Sequence, residues 1–485
     1  MGSEKKGHDR LMTERSQLEE AQAAGIGRTL ATYTRLSGPG WLQSAITLGG
    51  GSLAGSLYLG VIGGYEFLWL QPLMMILGIV MLSAIAYVTL STGKRPFQAM
   101  NEHVSPVLGW GWLLAAMMAN LVWAMPQFSL GTAALQQNLF PHYLAGDSAK
   151  VICVLGLFLI ATAVVWFYDS PGWGVRVFEL SLKAMVGLVV LSFFGVVVAM
   201  SWKGELDWMS IAKGFVPDLS LLWRPVTGLH GFIDESSARD YWTTTILHAQ
   251  RERMIAAAAT AVGINMTFLL PYSMLRKGWD RAFRGLAAFD LSTGLFIPFL
   301  VATSCVVIAA ASQFHAQFDE RIISQPAADT AGSYRDNLEK RVRAESGSED
   351  RSVLSESEMN AKIDALPSAD RKLAYMLIKR DSLDLATALE NLFGKGGLTQ
   401  KVFGIGVLGM AISTIVILMV INGFCVTEMT GRDSDRVVQR LGALFPGVVG
   451  GLGFLALWGD DQARFWLAVP TSNFGMVLLP IAYIA

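Results

Sequence analysis

The sequence predicts an all-α polytopic membrane protein of ten transmembrane helices, arranged as five plus five, with the first and sixth helices broken. Three observations predict it. Of 485 residues, 52% are hydrophobic and only 16% charged, against roughly 25% charged in soluble chains; mean hydropathy is +0.43. The apolar residues lie in blocks of about 20, the length that crosses the ~30 Å hydrocarbon core of a bilayer. Glycine, proline and amide residues cluster inside the first and sixth blocks. This composition excludes a disordered chain, a disulfide scaffold and an ordinary cytosolic enzyme. A net charge of −1 gives no basis for nucleic-acid binding, so the expected surroundings are lipid.

Residues 1–36 are mixed in charge and lack the apolar stretch of a signal peptide, so they read as a cytoplasmic tail with a helical end. A first five-helix repeat follows over 37–202, with spans at Trp41–Ile62, Phe67–Leu90, Leu108–Phe140, Val151–Phe167 and Phe178–Met200. Residues 203–253 form an extracytoplasmic connecting segment, partly helical, with a helix-start signal at Ser236 and Ser237. Helices six and seven occupy 254–314, as Met254–Leu275 and Leu286–Ala311. A charged extracytoplasmic insertion covers 315–401. Helices eight to ten fill 402–485, as Val402–Val426, Val437–Trp458 and Phe465–Ile484. Backbone groups in lipid must bond within their own segment, so all ten spans are helices.

Lys and Arg set the orientation. They are rich in the tail and in the loops after even-numbered spans: Lys94 and Arg95, Arg176, then Arg276, Lys277, Arg281 and Arg284, then Arg432, Arg436 and Arg440. The loop Gly63–Glu66 has none. This places the N-terminus in the cytoplasm and the protein in the cell (inner) membrane. The insertion then lies outside. Through Ser355 its composition reads as flexible. Beyond, Leu373, Met376, Leu377, Leu383, Leu385, Leu389 and Leu392 recur at helical spacing, which predicts two or three short helices on the outer face, a surface for an extracytoplasmic partner. The chain stops at Ala485 directly after the tenth span; a truncated product and a form lacking later spans are both open.

Cys153, Cys305 and Cys425 sit inside apolar blocks as small hydrophobes, without the spacing of a disulfide or metal cluster. No cofactor is expected. All six histidines are expected outside the spans. No phosphate loop, His-Glu-x-x-His or nucleophile elbow is present, and no titratable groups converge at depth, so the chain does not read as an enzyme.

The first span carries Gly38-Pro39-Gly40-Trp41-Leu42 and then Gly49, Gly50, Gly51 and Ser52. Three consecutive glycines cost a helix about 1 kcal/mol each relative to alanine. They indicate either an unwound segment lining a cavity or a close-packing face. The sixth span carries Gly263-Ile264 followed by Asn265, Met266 and Thr267, with Pro271 beyond; the tenth carries Pro470, Thr471, Ser472 and Asn473. Interrupted helices at corresponding positions of two repeats point to a substrate site at the midplane. The candidate substrate-binding residues are therefore Gly49, Gly50, Gly51, Ser52, Asn265, Met266, Thr267, Ser472 and Asn473. Asp290 reads as a partner to Arg284 or to a helix end, and Glu179 with Lys183 as an interfacial pair.

Gly-Pro-Gly-Trp-Leu with a break nine residues after its last glycine resembles the first helix of the Nramp divalent metal-ion transporters. Phe178-Glu179-Leu180 to Phe194 is similar to their fifth helix, followed by Lys213-Gly214-Phe215-Val216-Pro217. Arg284-Gly285-Leu286 to Asp290 is similar to the start of their seventh. The resemblance implies the leucine-transporter-like inverted repeat and divalent metal uptake by alternating access, usually proton-coupled. The ligand motifs are altered. The family's Asp-Pro-Gly-Asn positions hold Gly49, Gly50, Gly51 and Ser52, and its Met-Pro-His positions hold Asn265, Met266 and Thr267. Met117–Phe128, where the third-helix acids would fall, has no carboxylate. Hydroxyls, amides and backbone carbonyls remain, with the Met266 sulfur if it faces inward. Three readings stay open: a secondary transporter of a divalent metal ion, a transporter of a small neutral or zwitterionic solute on the same fold, and a membrane sensor or scaffold that transports nothing. Which metal ligands a transporter of this kind would use is not legible.

Overall fold

Inside a bilayer no water is available to pair with backbone N–H and C=O groups, so a spanning chain must be helical. The computed structural model is helical through the apolar blocks among its described residues. It describes residues 2–144, 146–168, 173–318, 328–345, 355–378, 380, 384–385, 387–389, 398–432 and 435–457. The tail forms α1 (Gly2–Ala23) and α2 (Ile26–Leu36). The first span is two helices, α3 (Pro39–Thr47) and α4 (Gly50–Gly63), and the pair is bent by 57°. Then come α5 (Leu70–Thr92), a short α6 (Pro96–His103), α7 (Pro106–Ala133), α8 (Asp147–Tyr168) and α9 (Trp173–Trp202). The connector holds α10 (Trp208–Gly214) and α11 (Thr227–Glu235). The sixth span is again two helices, α12 (Arg239–Ala259) and α13 (Ile264–Arg276). The seventh is α14 (Arg284–Asp290) and α15 (Phe296–Phe314), joined by one wide turn. The insertion contributes α16 (Ala328–Glu345), α17 (Glu356–Asp364) and α18 (Ser368–Met376); α19 (Leu398–Thr430) and α20 (Arg436–Leu457) complete the described spans.

Nine of the ten expected spans are thus present among the described residues, with interruptions in the first and the sixth. The expected tenth span, with Ser472 and Asn473, lies outside the described residues. The broken first helix lies at the centre of the arrangement: α3 packs against α9, α13 and α19, while α4 packs against α12 and α15.

Several expectations are corrected. The sixth helix starts at Arg239 rather than Met254. Its first turns are too polar to lie in hydrocarbon, so the hydropathy signal begins later than the helix, and His248 falls within it. Glu179 and Lys183 do not pair with each other. Glu179 binds Lys277 at 2.8 Å, and the Lys183 ammonium donates to the Ser37 carbonyl at 2.9 Å. Both partners lie beside the N-terminus of α3, where a free carbonyl and a second cation outcompete a pair on one helix face. Asp290 does serve a helix end, but that of α3.

The first half of the insertion is also helical where described, in α16. Tyr334, Leu338, Arg341 and Val342 are buried on one face of it, a stripe hidden by the charges around it. Arg341 is the key. Only 1% exposed, it donates from Nε to Asp370 Oδ1 at 2.7 Å and from Nη2 to Ser237 Oγ at 2.9 Å. Asp370 is fully buried and also accepts from Trp242 Nε1 at 2.8 Å and Ser236 Oγ at 3.0 Å. The ion pair therefore ties the insertion to the N-terminal half of helix six. Removing one partner leaves a buried charge unpaired, at a cost of about 3–5 kcal/mol. Asp370→Ala is expected to release α16 to α18 from α12, read as fast tryptic cleavage within the insertion while the spans stay protected.

At the C-terminal end of the first span, His315 Nδ1 lies 3.1 Å from the Val61 carbonyl. The ring fills the space between Gly64 and Gly228; a Cβ on either would sit 2.6 or 2.3 Å from it. Gly64 also needs its positive φ of 56°. Burial pushes the imidazole below its ordinary pKa, against opposing contributions from the Val61 carbonyl and Glu66. The neutral ring is thus the folded form, and its stabilisation is present above the ordinary imidazole pKa of about 6.5 and lost as pH falls through the lower folded value. Acidification is expected to lower the amide-exchange protection of 61–67 and 227–235 relative to the intrinsic rate at each pH, and His315→Gln to remove that pH dependence.

Candidate substrate site at the helix breaks

The first break falls at Leu48 and Gly49, and the second at Thr260 to Gly263. Gly50, Gly51 and Ser52 are therefore the first turn of α4, and Asn265, Met266 and Thr267 the first turn of α13. Each break leaves a turn of backbone donors without helical acceptors. Side chains supply the partners. Ser52 Oγ accepts from the Gly49 N–H at 3.2 Å and donates to the Gly49 carbonyl at 2.9 Å. Gln127, from α7, accepts from the Gly50 N–H at 2.9 Å. Ser413 and Thr414, from α19, donate to the Ala45 carbonyl at 3.1 and 3.3 Å.

Across the second break, Met266 Sδ accepts from Thr47 Oγ1 at 3.2 Å and from the Gly263 N–H at 3.4 Å. Thr267 Oγ1 accepts from Trp112 Nε1 at 2.9 Å and donates to the Ile264 carbonyl. The hydroxyls of Ser52 and Thr267 are thus occupied by local bonds. Asn265 is different. Its Nδ2 reaches Asn120 Oδ1 at 3.4 Å, while its Oδ1 is buried without a donor. Gln43 Oε1 and Asn120 Nδ2 are in the same condition. All three side chains are fully buried, and an unsatisfied buried polar atom costs about 1–3 kcal/mol.

Sequence reasoning put Gly49–Ser52 and Asn265–Thr267 in one place; the structure puts one set at each break, and Thr47 bonds Met266 across them. It missed Gln43, Thr47, Asn120, Gln127 and Thr414. A signal for them existed. Asn120 and Gln127 are seven apart on α7, and Gln43 and Thr47 four apart on α3, so each pair shares a helix face, and amides inside a membrane span are costly unless used. Among the described residues no group of three or more His, Cys, Asp or Glu side chains is placed to hold a metal ion. The site is sealed at Gln43 and Asn265 but not everywhere: Gly51 is exposed and Gly50 and Thr260 half-buried, at the seam between α4 and α12.

At the start of α3, Asp290 Oδ2 accepts from the N–H groups of Gly38 and Gly40 at 3.0 and 2.7 Å. This carboxylate at a helix N-terminus complements the dipole. The approach demands glycine at position 40, where a Cβ would sit 2.2 Å from the Asp290 carbonyl oxygen. Gly40→Ala is expected to cost at least about 1–3 kcal/mol through overpacking, seen as a lower melting temperature. Gly156→Ala, where a Cβ meets nothing within 4 Å, is expected to leave it unchanged or raised.

A family model described as Natural resistance-associated macrophage protein-like matches residues 40–331. The chain is 26% identical to Metal transporter Nramp6.2 of Populus trichocarpa over 189 residues, 38% of this chain and 31% of that protein. It is 26% identical to Metal transporter Nramp2 of Oryza sativa subsp. japonica over 168 residues, 33% of this chain and 29% of that protein. Each match thus spans less than a third of the relative's length. Among solved structures, the manganese transporter of Eremococcus coleocola in complex with an aromatic bis-isothiourea substituted compound is 12% identical, covering 94% of each chain with a TM-score of 0.46. MhsT in complex with L-phenylalanine is 11% identical, covering 88% of this chain and 87% of that one with a TM-score of 0.42.

Proposed function

The chain belongs to the Nramp family, and on that premise we propose that it is a secondary transporter that moves a divalent metal ion across the cell membrane by alternating access. Its N-terminus is cytoplasmic, and the ion passes between the breaks of helices one and six. One observation carries this reading: Gln43 Oε1 and Asn265 Oδ1 are buried amide oxygens without donors, beside two helix breaks. Acceptors left open in a buried site suit a cation. Neutral oxygens do not replace a full hydration shell, so the ion keeps part of its water. Oxygen donors suit Mn²⁺ and Mg²⁺.

A second reading, a small neutral or zwitterionic solute, is favoured by Asn120 Nδ2. This buried donor without an acceptor accompanies the two open oxygens, a pattern that a solute with both donor and acceptor groups would satisfy.

The test is Mn²⁺ and Mg²⁺ uptake into proteoliposomes, with protein-free vesicles beside them. Saturable uptake is expected. A Gln43→Leu, Asn265→Leu double variant is expected to lower it by about tenfold or more, the loss of one to two polar interactions. With no titratable side chain lining the described part of the breaks, an imposed pH gradient is expected to leave the rate unchanged. Absence of uptake by folded protein overturns the metal reading and leaves the solute and scaffold readings.

A further inference from the structure

On the outer face a cavity of about 390 Å³ opens between the end of the first span, the connector and the start of the insertion. That volume falls within the range of small-molecule sites. It lies apart from the helix breaks, and its floor is the His315 ring packed between Gly64 and Gly228. Glu66, Asp218 and Lys213 supply its charges.

These three groups are not equivalent. Asp218 is fully engaged. Its Oδ1 accepts from the Ser220 N–H at 2.9 Å and from the Ser220 hydroxyl at 2.5 Å, and its Oδ2 accepts from Arg224 at 2.7 Å. Glu66 is half engaged. Its Oε1 accepts from the Thr227 N–H at 2.7 Å and from the Thr227 hydroxyl, which fixes the carboxylate and leaves Oε2 without a donor among the described residues. Lys213 forms no ion pair with a described residue, although its charge is felt by Asp207. With Asp218 balanced by Arg224, the cavity offers one open negative group and one open positive group, with no net charge between them.

The geometry points to a binding site for a small zwitterion of the α-amino-acid type, its ammonium on Glu66 Oε2 and its carboxylate on the Lys213 ammonium. A lone anion would meet Glu66 and a lone cation Lys213, so only a ligand carrying both charges is favoured at both ends. The walls come from three segments: helix one through Glu66, the connector through Lys213 and Thr227, and the end of helix seven through His315. A bound zwitterion would therefore bridge them.

The experiment is calorimetric titration of the detergent-purified full chain with L-alanine, L-serine, L-glutamine and L-leucine, each at millimolar concentration. Saturable binding of at least one is expected. Its N-acetyl and its carboxamide derivatives, which each lack one charge, are expected not to compete. Lys213→Met and Glu66→Gln are each expected to weaken binding by about tenfold or more, as the loss of one charge-assisted hydrogen bond predicts, with Lys213→Arg close to the wild type. Lys213 is exposed, so its variants are expected to fold. The proposal is overturned if none of the four amino acids binds, or if both capped derivatives compete. It is equally overturned if binding survives Lys213→Met and Glu66→Gln but is lost in Gln43→Leu, which would place the ligand at the helix breaks. Metal uptake is a separate readout, so failure here leaves the transport reading standing.

Discussion

A membrane helix that stops in mid-bilayer releases backbone groups that no water can satisfy, and the rest of this structure is organised around that constraint. The first helix is interrupted at Leu48 and Gly49. Its freed groups are met from two other elements and from itself: Ser413 and Thr414 on the Ala45 carbonyl, Gln127 on the Gly50 N–H, and Ser52 on both groups of Gly49; a third element supplies Asp290 to the N–H groups of Gly38 and Gly40 at the start of α3. Ser44 adds a bond to the Gly294 carbonyl at 2.7 Å, inside the wide turn of helix seven. Helices three, seven and eight are thus fastened to helix one by polar bonds placed where apolar packing alone would not fix a register. In lipid, where hydrophobic surface gives little preference between neighbours, such bonds and close glycine contacts set the pairing.

The two ends of helix one are held by different chemistry. The N-terminal end is ionic: Asp290 caps α3, Lys183 holds the Ser37 carbonyl, and Lys277 with Glu179 sits against Gly38. The C-terminal end is held by one neutral imidazole on the Val61 carbonyl and by Glu66 on Thr227. For α3 to swing it must leave a carboxylate that has two backbone donors; for the C-terminal end to swing it must pull His315 from between two glycines. The insertion adds inertia on the helix-six side, because Arg341 and Asp370 bind it to Trp242 of α12.

Much of this was legible because hydropathy and glycine patterning act locally. The first-span break was readable from Gly49–Gly51, and the sixth from Gly263 to Pro271, since both signals are intrinsic to the chain. What escaped depends on partners far apart in sequence. Glu179 and Lys183 have ideal spacing for a pair, yet Lys277, 98 positions from Glu179 in sequence, takes the carboxylate. The α16 stripe was hidden because its central buried residue is an arginine, which no hydropathy pattern marks as core. Gln43 and Asn120 were not among the expected ligands, although a buried amide in a span is itself a signal. Residue identity predicted Ser52 and Thr267 as ligands; geometry shows their hydroxyls committed to backbone and Trp112. That distinction is invisible without coordinates.

The neutrality of the site has a consequence for any cargo. A charge at the bilayer centre costs roughly 2.5–3.5 kcal/mol on insertion scales, and here no carboxylate among the described residues lies at the breaks to offset it. Amide and backbone oxygens supply dipoles only, so a dication binds well only if its remaining waters are bound too. That requires room, and here the glycines are closely packed: a Cβ on Gly49 would sit 2.6 Å from Thr414 Oγ1, one on Gly50 3.3 Å from Gln127 and Leu130, and one on Gly51 3.3 Å from the Thr260 methyl. A hydrated ion therefore needs the neighbours of these glycines to move apart. A site of this construction selects by size and hydrogen-bond pattern more than by charge. For the metal ion proposed, a site of glycines and amides without acids would give a weaker hold, on an ion that brings its own water.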